Sequence, residues 1–152
     1  LAYGINHPDR CLGLILRGIF LTRKKELDWF YQYGASEIFP DFWERYRDAI
    51  PEEERGDFMA AYHKRLTSDD EQVRLAAARA WSTWEGATSK LFPDQDLVDH
   101  WEGEHEALSL ARIESHYFVN GSFFPSDNYL LENVDKIRHL PIVIVQGRYD
   151  VV

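Results

Sequence analysis

Two glutamates lie on the apolar faces of predicted helices, where an ionised carboxylate is unexpected. Glu85 follows Ala78 and Trp81 at helical spacing, and Glu114 continues a row that includes Ala111. Burying a charged carboxylate costs free energy unless a partner compensates it. Two interpretations therefore stand: each glutamate lies at a rim or pairs with a nearby arginine, or both face one cavity and bind a cation.

A third acid, Asp150, follows a segment with the pattern of a buried strand. Residues 140–145 are apolar and mostly β-branched, which is typical of a parallel strand covered on both faces. Gly147 then frees the backbone, and Asp150 comes after the carboxyl end of the strand, where open α/β sheets hold their sites. Asp150 is thus a candidate for chemistry by its position.

The same pattern occurs near the start of the chain. Residues 12–16 form an apolar segment, and Arg17 and Gly18 follow it. We predict that residues 12–16 and 142–145 are neighbouring parallel strands, because parallel strands need a long crossover and the sequence between them supplies one.

The sequence between these strands has the pattern of several helices. Thr22 is expected to be the N-cap of a helix over residues 23–33, and Ser68 the N-cap of the longest helix, 69–90. A further helix is predicted over residues 104–119. Two strands separated by many helices indicate a helical cap inserted into a sheet protein.

Composition excludes several classes of protein. The chain has 152 residues, 45% of them hydrophobic, which is typical of a globular domain. A net charge of −9 argues against a nucleic-acid partner, and no apolar run is long enough to span a membrane. The single cysteine, Cys11, favours a cytoplasmic protein without an intramolecular disulfide. The histidines lack the spacing of metal ligands, and no G-x-S-x-G nucleophile motif is present.

Five separate motifs resemble the proline iminopeptidase (prolyl aminopeptidase) family. They are residues 16–21 (LRGIFL), 26–35 (ELDWFYQYGA), 81–86 (WSTWEG), 111–118 (ARIESHYF) and 147–150 (GRYD). They occur in the family's order and extend through nearly the whole chain. The resemblance implies an α/β-hydrolase and a serine exopeptidase that releases N-terminal proline from peptides. It implies a Ser-His-Asp triad and no metal or cofactor.

The resemblance also implies roles for individual residues. Asp150 matches the triad acid, which orients the histidine and stabilises its imidazolium. Glu85 and Glu114 match the cap acids that bind the positive imino group of the substrate. Arg17 matches an arginine beside these acids, and we expect its guanidinium to help keep both carboxylates ionised. The walls of the pyrrolidine pocket are matched by Phe20, Phe30 and Phe118. At position 30 the family often has tyrosine, so Phe30 keeps the ring but lacks a hydroxyl.

The family's nucleophile and triad histidine would lie upstream of Leu1 and downstream of Val152. The expected fold class is therefore an α/β-hydrolase fragment, a mostly α-helical cap domain flanked by two parallel core strands. We expect a core fragment over residues 1–21, the helical cap over 22–124, and a second core fragment with the triad-acid loop over 125–152. By itself the chain is expected to be inactive.

Two alternatives remain at the level of sequence. Another capped α/β-hydrolase, of the esterase or epoxide hydrolase type, would share the strands and Asp150 but not the pair of cap acids. A non-catalytic helical interaction module would instead present its aromatic residues as an exposed patch. Convergence of Glu85 and Glu114 near the strand end that carries Asp150 would distinguish the three.

Overall fold

The computed structural model describes residues 1–90 and 104–152, which form several helices and one small sheet. The helices are α1 (Ala2–Asn6), α2 (Lys24–Tyr31), α3 (Ala35–Ile38), α4 (Pro40–Asp48), α5 (Phe58–Leu66), α6 (Glu71–Thr88), α7 (Glu104–Val119) and α8 (Tyr129–Glu132). The strands are β1 (Leu14–Arg17) and β2 (Ile142–Val145). Short 3-10 turns are present at Pro8–Arg10, Glu52–Glu54, Gly121–Phe123 and Val134–Ile137.

The two strands pair in parallel, as the sequence predicts. Leu14 is opposite Ile142 and Arg17 is opposite Val145, and the helices from α2 to α8 lie between the strands in the sequence. β1 begins two residues later than the predicted segment 12–16, and Leu12 is 98% exposed. The crossover prediction is therefore confirmed, while the bounds of the first strand shift.

β2 has the apolar pattern of a strand that can be covered on both faces, but in the described part of the chain both of its faces are exposed. Val143 and Ile144 are 58% and 60% exposed although they point to opposite faces of the strand. In the described part of the chain, only β1 pairs with β2. A two-stranded sheet offers too little neighbouring surface to bury a continuous apolar strand.

The helices begin at caps other than those predicted. Thr22 has a φ of 57°, and α2 begins after Arg23, whose backbone N–H donates to the Glu26 carboxylate at 3.0 Å. α6 begins after Asp70, whose carboxylate accepts from the backbone N–H of Gln72 at 2.9 Å, rather than at Ser68. A carboxylate near the exposed N–H groups of the first turn is also favoured by the helix dipole. The prediction for Glu104–Val119 is confirmed.

Aromatic residues form the core of the helical region. Helices α4, α5, α6 and α7 pack against one another. The largest fully buried side chains in this region are those of Trp81, Trp84, Tyr46, Tyr62 and Phe30. Tyr46 and Tyr62 stack with ring centroids 4.5 Å apart. These rings are buried and therefore cannot form part of an exposed aromatic patch.

A second, smaller apolar cluster lies around α1 and the C-terminal segment. Ile5, Leu130 and Ile137 are buried in it, and Leu14 of β1 packs against them. Its residues come from both ends of the chain, whereas the aromatic core comes from the middle.

Trp29 connects the helical region to the C-terminal loop. Its indole Nε1 donates to the carbonyl oxygen of Val151 at 2.7 Å. Its ring covers Gly34, which has a φ of +108°; a Cβ there would lie 2.2 Å from the ring carbon Cε3. Only glycine fits beneath the indole, since that distance is far inside van der Waals contact. None of the described helices has the length and apolar character needed to cross a membrane.

Candidate functional site

The first member of the candidate site is Glu85, on the inner face of α6. The buried hydroxyl of Tyr31, from α2, donates a hydrogen bond to Glu85 Oε1. Burial and the nearby charge of Glu114 raise the pKa of Glu85, while the Tyr31 hydrogen bond opposes the rise. The carboxylate is therefore partly desolvated and has a single neutral donor among its described partners.

Glu114, on α7, is the second acid. Its Oε2 accepts a hydrogen bond from the indole Nε1 of Trp81 at 2.9 Å. Burial raises the pKa of Glu114, and the Trp81 hydrogen bond opposes this rise. Each acid thus has one aromatic donor, which fixes one oxygen and leaves other lone pairs for a ligand.

The two acids accept hydrogen bonds from the two different rings of one aromatic pair. The rings of Tyr31 and Trp81 stack with centroids 4.5 Å apart and an angle of 21°. Burial, followed by the charges of Glu85 and Glu114, raises the pKa of the Tyr31 hydroxyl. Because like charges repel when both carboxylates ionise, a cation bound near them would stabilise the doubly ionised pair.

An open cavity of about 460 Å³ lies beside Glu114. Phe20 and Phe118 line it, and their rings meet edge to face with centroids 5.9 Å apart. Phe118 is also 5.6 Å from the ring of Tyr31. The structure therefore brings together one acid and two of the three phenylalanines that the sequence analysis selected.

Phe30 does not line this cavity. It is 1% exposed, and its ring packs on Trp84 with centroids 5.4 Å apart. Successive helix residues point about 100° apart, so Tyr31 faces the acids while Phe30 faces the core. The ring and hydroxyl beside Glu85 are those of Tyr31. The expected contact of Phe30 with a substrate ring stays a prediction.

Arg17 lies at the end of β1 with an exposed side chain. Within residues 1–90 and 104–152, its guanidinium forms neither a hydrogen bond nor an ion pair with Glu85 or Glu114. Each acid interacts through hydrogen bonds from aromatic residues instead. The structure thus does not bring Arg17 into contact with the acids, and its expected role stays a prediction.

Asp150 lies in the loop after β2, with its side chain exposed. Its Oδ2 accepts a hydrogen bond from the side-chain amide of Gln146 at 2.6 Å, and its Oδ1 accepts from the backbone N–H of Val152 at 3.2 Å. A cavity of about 490 Å³ separates this loop from the end of the α6 segment, at residues 88–90. Glu85 is one turn earlier in the same helix, so α6 connects the acid pair to the neighbourhood of Asp150.

A serine–histidine contact occurs between α5 and α7. Ser115 Oγ lies 3.3 Å from His63 Nδ1, but Ser115 is fully buried and also bonds to the carbonyl of Arg112. A buried hydroxyl cannot reach a substrate, so this pair is structural. In the described part of the chain, no group of three or more His, Cys, Asp or Glu side chains could hold a metal ion.

Sequence reasoning missed the two donors, Tyr31 and Trp81. Neither residue was given a role at the site, because hydrogen bonds between residues 54 and 33 positions apart in the sequence leave no periodic signal. A weak signal exists in residue type: tyrosine and tryptophan are the aromatic residues that can donate a hydrogen bond from a buried position. A stripe that contains them beside an acid indicates a donor for that acid.

Comparison with curated proteins confirms the resemblance. The chain is 60% identical over 152 residues to the proline iminopeptidase of Arabidopsis thaliana and 59% identical to that of Xylella fastidiosa (strain Temecula1 / ATCC 700964). It is 46% identical over 151 residues to the proline iminopeptidase of Neisseria gonorrhoeae. These alignments cover 99–100% of this chain but only 40%, 49% and 47% of the respective relatives. The chain thus spans less than half the length of these relatives. No family model matches the sequence.

Proposed function

We propose that this chain is part of a proline iminopeptidase, a serine exopeptidase of the α/β-hydrolase class that releases N-terminal proline from peptides. The single observation that carries the proposal is the acid pair: Glu85 and Glu114 share one aromatic stack, and burial raises the pKa of both. Identity of 59–60% to proteins named proline iminopeptidase supports the same activity.

The acid pair suits a substrate that ends in a protonated amine. The N-terminal nitrogen of a prolyl peptide carries a positive charge, whereas an internal peptide nitrogen is neutral. A cation between Glu85 and Glu114 would offset their repulsion and satisfy their remaining lone pairs. An internal proline would leave both carboxylates desolvated and without a partner, so the same pair would select chain ends.

The cavity beside Glu114 suits the rest of the proline residue. We propose that Phe20 and Phe118 contact the pyrrolidine ring, because their edge-to-face rings give the cavity an apolar wall. Phe30 remains a proposed contact of the ring, and Arg17 remains a proposed neighbour of the acids. A capped esterase or epoxide hydrolase would have no use for two partly desolvated carboxylates, one of which lines an apolar cavity.

The chemistry itself requires a serine activated by a histidine, with Asp150 as the triad acid. Asp150 would accept a hydrogen bond from the histidine ring and stabilise the imidazolium that forms when the serine attacks the prolyl carbonyl. We assign residues 1–21 and 125–152, which include Asp150, to the core and residues 22–124 to the cap. The separation of the aromatic core from the smaller cluster supports this division. A cytoplasmic location remains a prediction from the sequence.

The experiment compares three arylamides as substrates of the full-length protein. Prolyl arylamide should be cleaved, and a serine-directed inhibitor should abolish the cleavage. N-acetylprolyl arylamide has the same ring and scissile bond but no cationic amine, so it should be cleaved far more slowly. Alanyl arylamide keeps the amine but lacks the ring, which isolates the contribution of Phe20 and Phe118. Equal rates for the prolyl and N-acetylprolyl substrates would refute the amine-binding role of the acid pair.

A further inference from the structure

Gln146 joins two segments that are far apart in the sequence. Its side-chain oxygen accepts from the backbone N–H of Ile19 at 2.9 Å, and its side-chain nitrogen donates to Asp150 Oδ2 at 2.6 Å. The orientation of the amide follows from its partners, since a backbone N–H can only donate and a carboxylate can only accept. A single side chain therefore connects the segment after β1 to the loop after β2.

The hydrogen bond to Asp150 is one of two that determine how its carboxylate lies. Val152 N–H donates to Oδ1, so each oxygen has one donor within the loop. A carboxylate has about four lone-pair sites, which leaves one on each oxygen for another donor. Without Gln146, only the Val152 contact would remain, and the carboxylate could rotate about its Cβ–Cγ bond.

The contact to Ile19 extends this arrangement towards the cavity. Phe20, the next residue, lines the cavity beside Glu114. The backbone N–H of Gly18 also donates to Val145 at 3.2 Å, which continues the ladder of the two strands up to Gln146. Gln146 is thus the point at which the strand ends, the Asp150 loop and the Phe20 segment meet.

We infer that Gln146 is a positioning residue for Asp150 in the proposed reaction. It orients the carboxylate towards the triad histidine. It also fixes the position of Asp150 relative to Phe20, which lines the substrate cavity. This inference rests on the proposed function only in that it needs a histidine to act through Asp150; the contacts themselves belong to this chain.

Two variants of the full-length protein separate the two contacts of Gln146. Gln146→Glu keeps an oxygen for the Ile19 N–H but replaces the donor to Asp150 by a second carboxylate. Gln146→Leu has a similar size and removes both contacts. Loss of a hydrogen bond to a charged group should lower kcat by roughly 10- to 100-fold in both variants, with little change in KM. The loss should be equal for prolyl arylamide and for an ester without an amine.

The pH profile provides a measurement that a purely structural role would not change. In Gln146→Glu, the added negative charge near Asp150 should stabilise the imidazolium, so the acid limb of kcat/KM should move to higher pH. Gln146→Leu adds no charge, so the acid limb of its kcat/KM profile should not move to higher pH. Circular dichroism and thermal melting of each variant show the fraction that is folded, and rates are compared per folded molecule.

The outcomes distinguish this inference from the proposed function. If folded Gln146→Glu and Gln146→Leu both keep kcat within about twofold of the parent, too small a change for a lost charge-assisted hydrogen bond, the positioning role is refuted. If the parent protein cleaves the ester but not prolyl arylamide, the proposed specificity fails while the test of Gln146 still holds. If Gln146→Glu does not fold, Gln146→Leu alone decides through kcat on the ester.

Discussion

The phenol ring of Tyr31 stacks on the indole of Trp81 with centroids 4.5 Å apart, and the two rings donate hydrogen bonds to different glutamates. Tyr31 belongs to α2 and Trp81 to α6, so the stack also joins two helices of the aromatic core. Because each ring is buried, neither donor can turn away from its acid without disturbing the core. We therefore expect Glu85 and Glu114 to act as one unit.

Glu114→Gln in the full-length protein should reduce the turnover of prolyl arylamide and leave the fold intact. Removing one partner of a desolvated charge pair costs about 2–5 kcal/mol, which is roughly 30- to 5,000-fold at about 1.4 kcal/mol per decade. Glu37→Gln, at an exposed position of α3, is the matched control and should have no effect. An equally large loss on an ester without an amine would assign Glu114 to the chemistry or the fold instead.

Asp150→Asn should differ from the cap variants because it alters the chemical step. Asparagine favours the wrong histidine tautomer, and in serine proteases this lowers turnover by about 10⁴-fold. Steady-state kinetics should show similar losses for prolyl arylamide and for the ester. A loss restricted to the amine-bearing substrate would remove Asp150 from the triad.

Tyr31→Phe should change the pH dependence of proline cleavage more than it changes stability. The ring stays stacked on Trp81, but the hydrogen bond that holds down the pKa of Glu85 is lost. The pKa of Glu85 should rise further, so activity that needs the ionised acid should begin at higher pH. The measurement is kcat/KM for prolyl arylamide from pH 5 to 9.

The control for that variant is Tyr62→Phe. The Tyr62 hydroxyl is also buried and donates to the carbonyl of Tyr46 at 2.6 Å, but it has no contact with either acid. Its loss should cost about 1 kcal/mol of stability and leave the pH profile unmoved. Identical profiles for Tyr31→Phe and the parent would show that the hydroxyl does not control the charge of Glu85.

The acid pair should make the chain less stable as the pH rises. The pKa of Glu85 is above its ordinary value of 4.5 in the folded state, so between the two values the folded state binds more protons than the unfolded state. The contribution of Glu85 to the free energy of unfolding is fully present below pH 4.5. It is lost as the pH rises through the folded-state pKa, by at most about 1.4 kcal/mol per pH unit for one proton.

Urea unfolding of the parent and of Glu85→Gln, measured from pH 5 upward, tests this dependence. Glutamine does not ionise, so the variant should gain stability relative to the parent as the pH rises. His63, whose pKa is lowered by burial, contributes in the opposite direction, but both proteins contain it and the difference removes it. Parallel stability curves would contradict the assignment of the raised pKa to Glu85.

The sequence predicted those features that leave a periodic pattern. Parallel pairing of β1 and β2 follows from two apolar segments separated by a long helical crossover, and Glu85 and Glu114 stood out because they interrupt apolar helix faces. The donors to these acids could not be predicted, because Tyr31 and Trp81 come close only after α2, α6 and α7 have packed. Phe30 was expected in the pocket from the family resemblance, which does not show that Phe30 packs in the core while Tyr31, one position later, reaches Glu85.

The predicted N-caps of α2 and α6 were wrong for a different reason. Thr22 and Ser68 are good N-cap residues, but Arg23 with Glu26 and Asp70 provide competing caps one or two residues later. Caps of similar free energy cannot be ranked from local sequence, since each contributes only about 1 kcal/mol. The apolar pattern of β2 indicates a strand that can be covered on both faces, but the coverage itself depends on elements that lie outside the strand.

The hydrogen bond from Trp29 to Val151 limits how freely caps could be exchanged between related hydrolases. The indole packs on Gly34 and donates to the loop of Asp150, so the proposed recognition region and the proposed triad-acid loop share one fixed point. A transplanted cap would need an indole at the same place, over a residue without a side chain, to hold that loop. Substrate selectivity and catalytic rate in this protein would therefore evolve together. A chimaera that reproduces only the acid pair would bind N-terminal proline but would turn it over slowly.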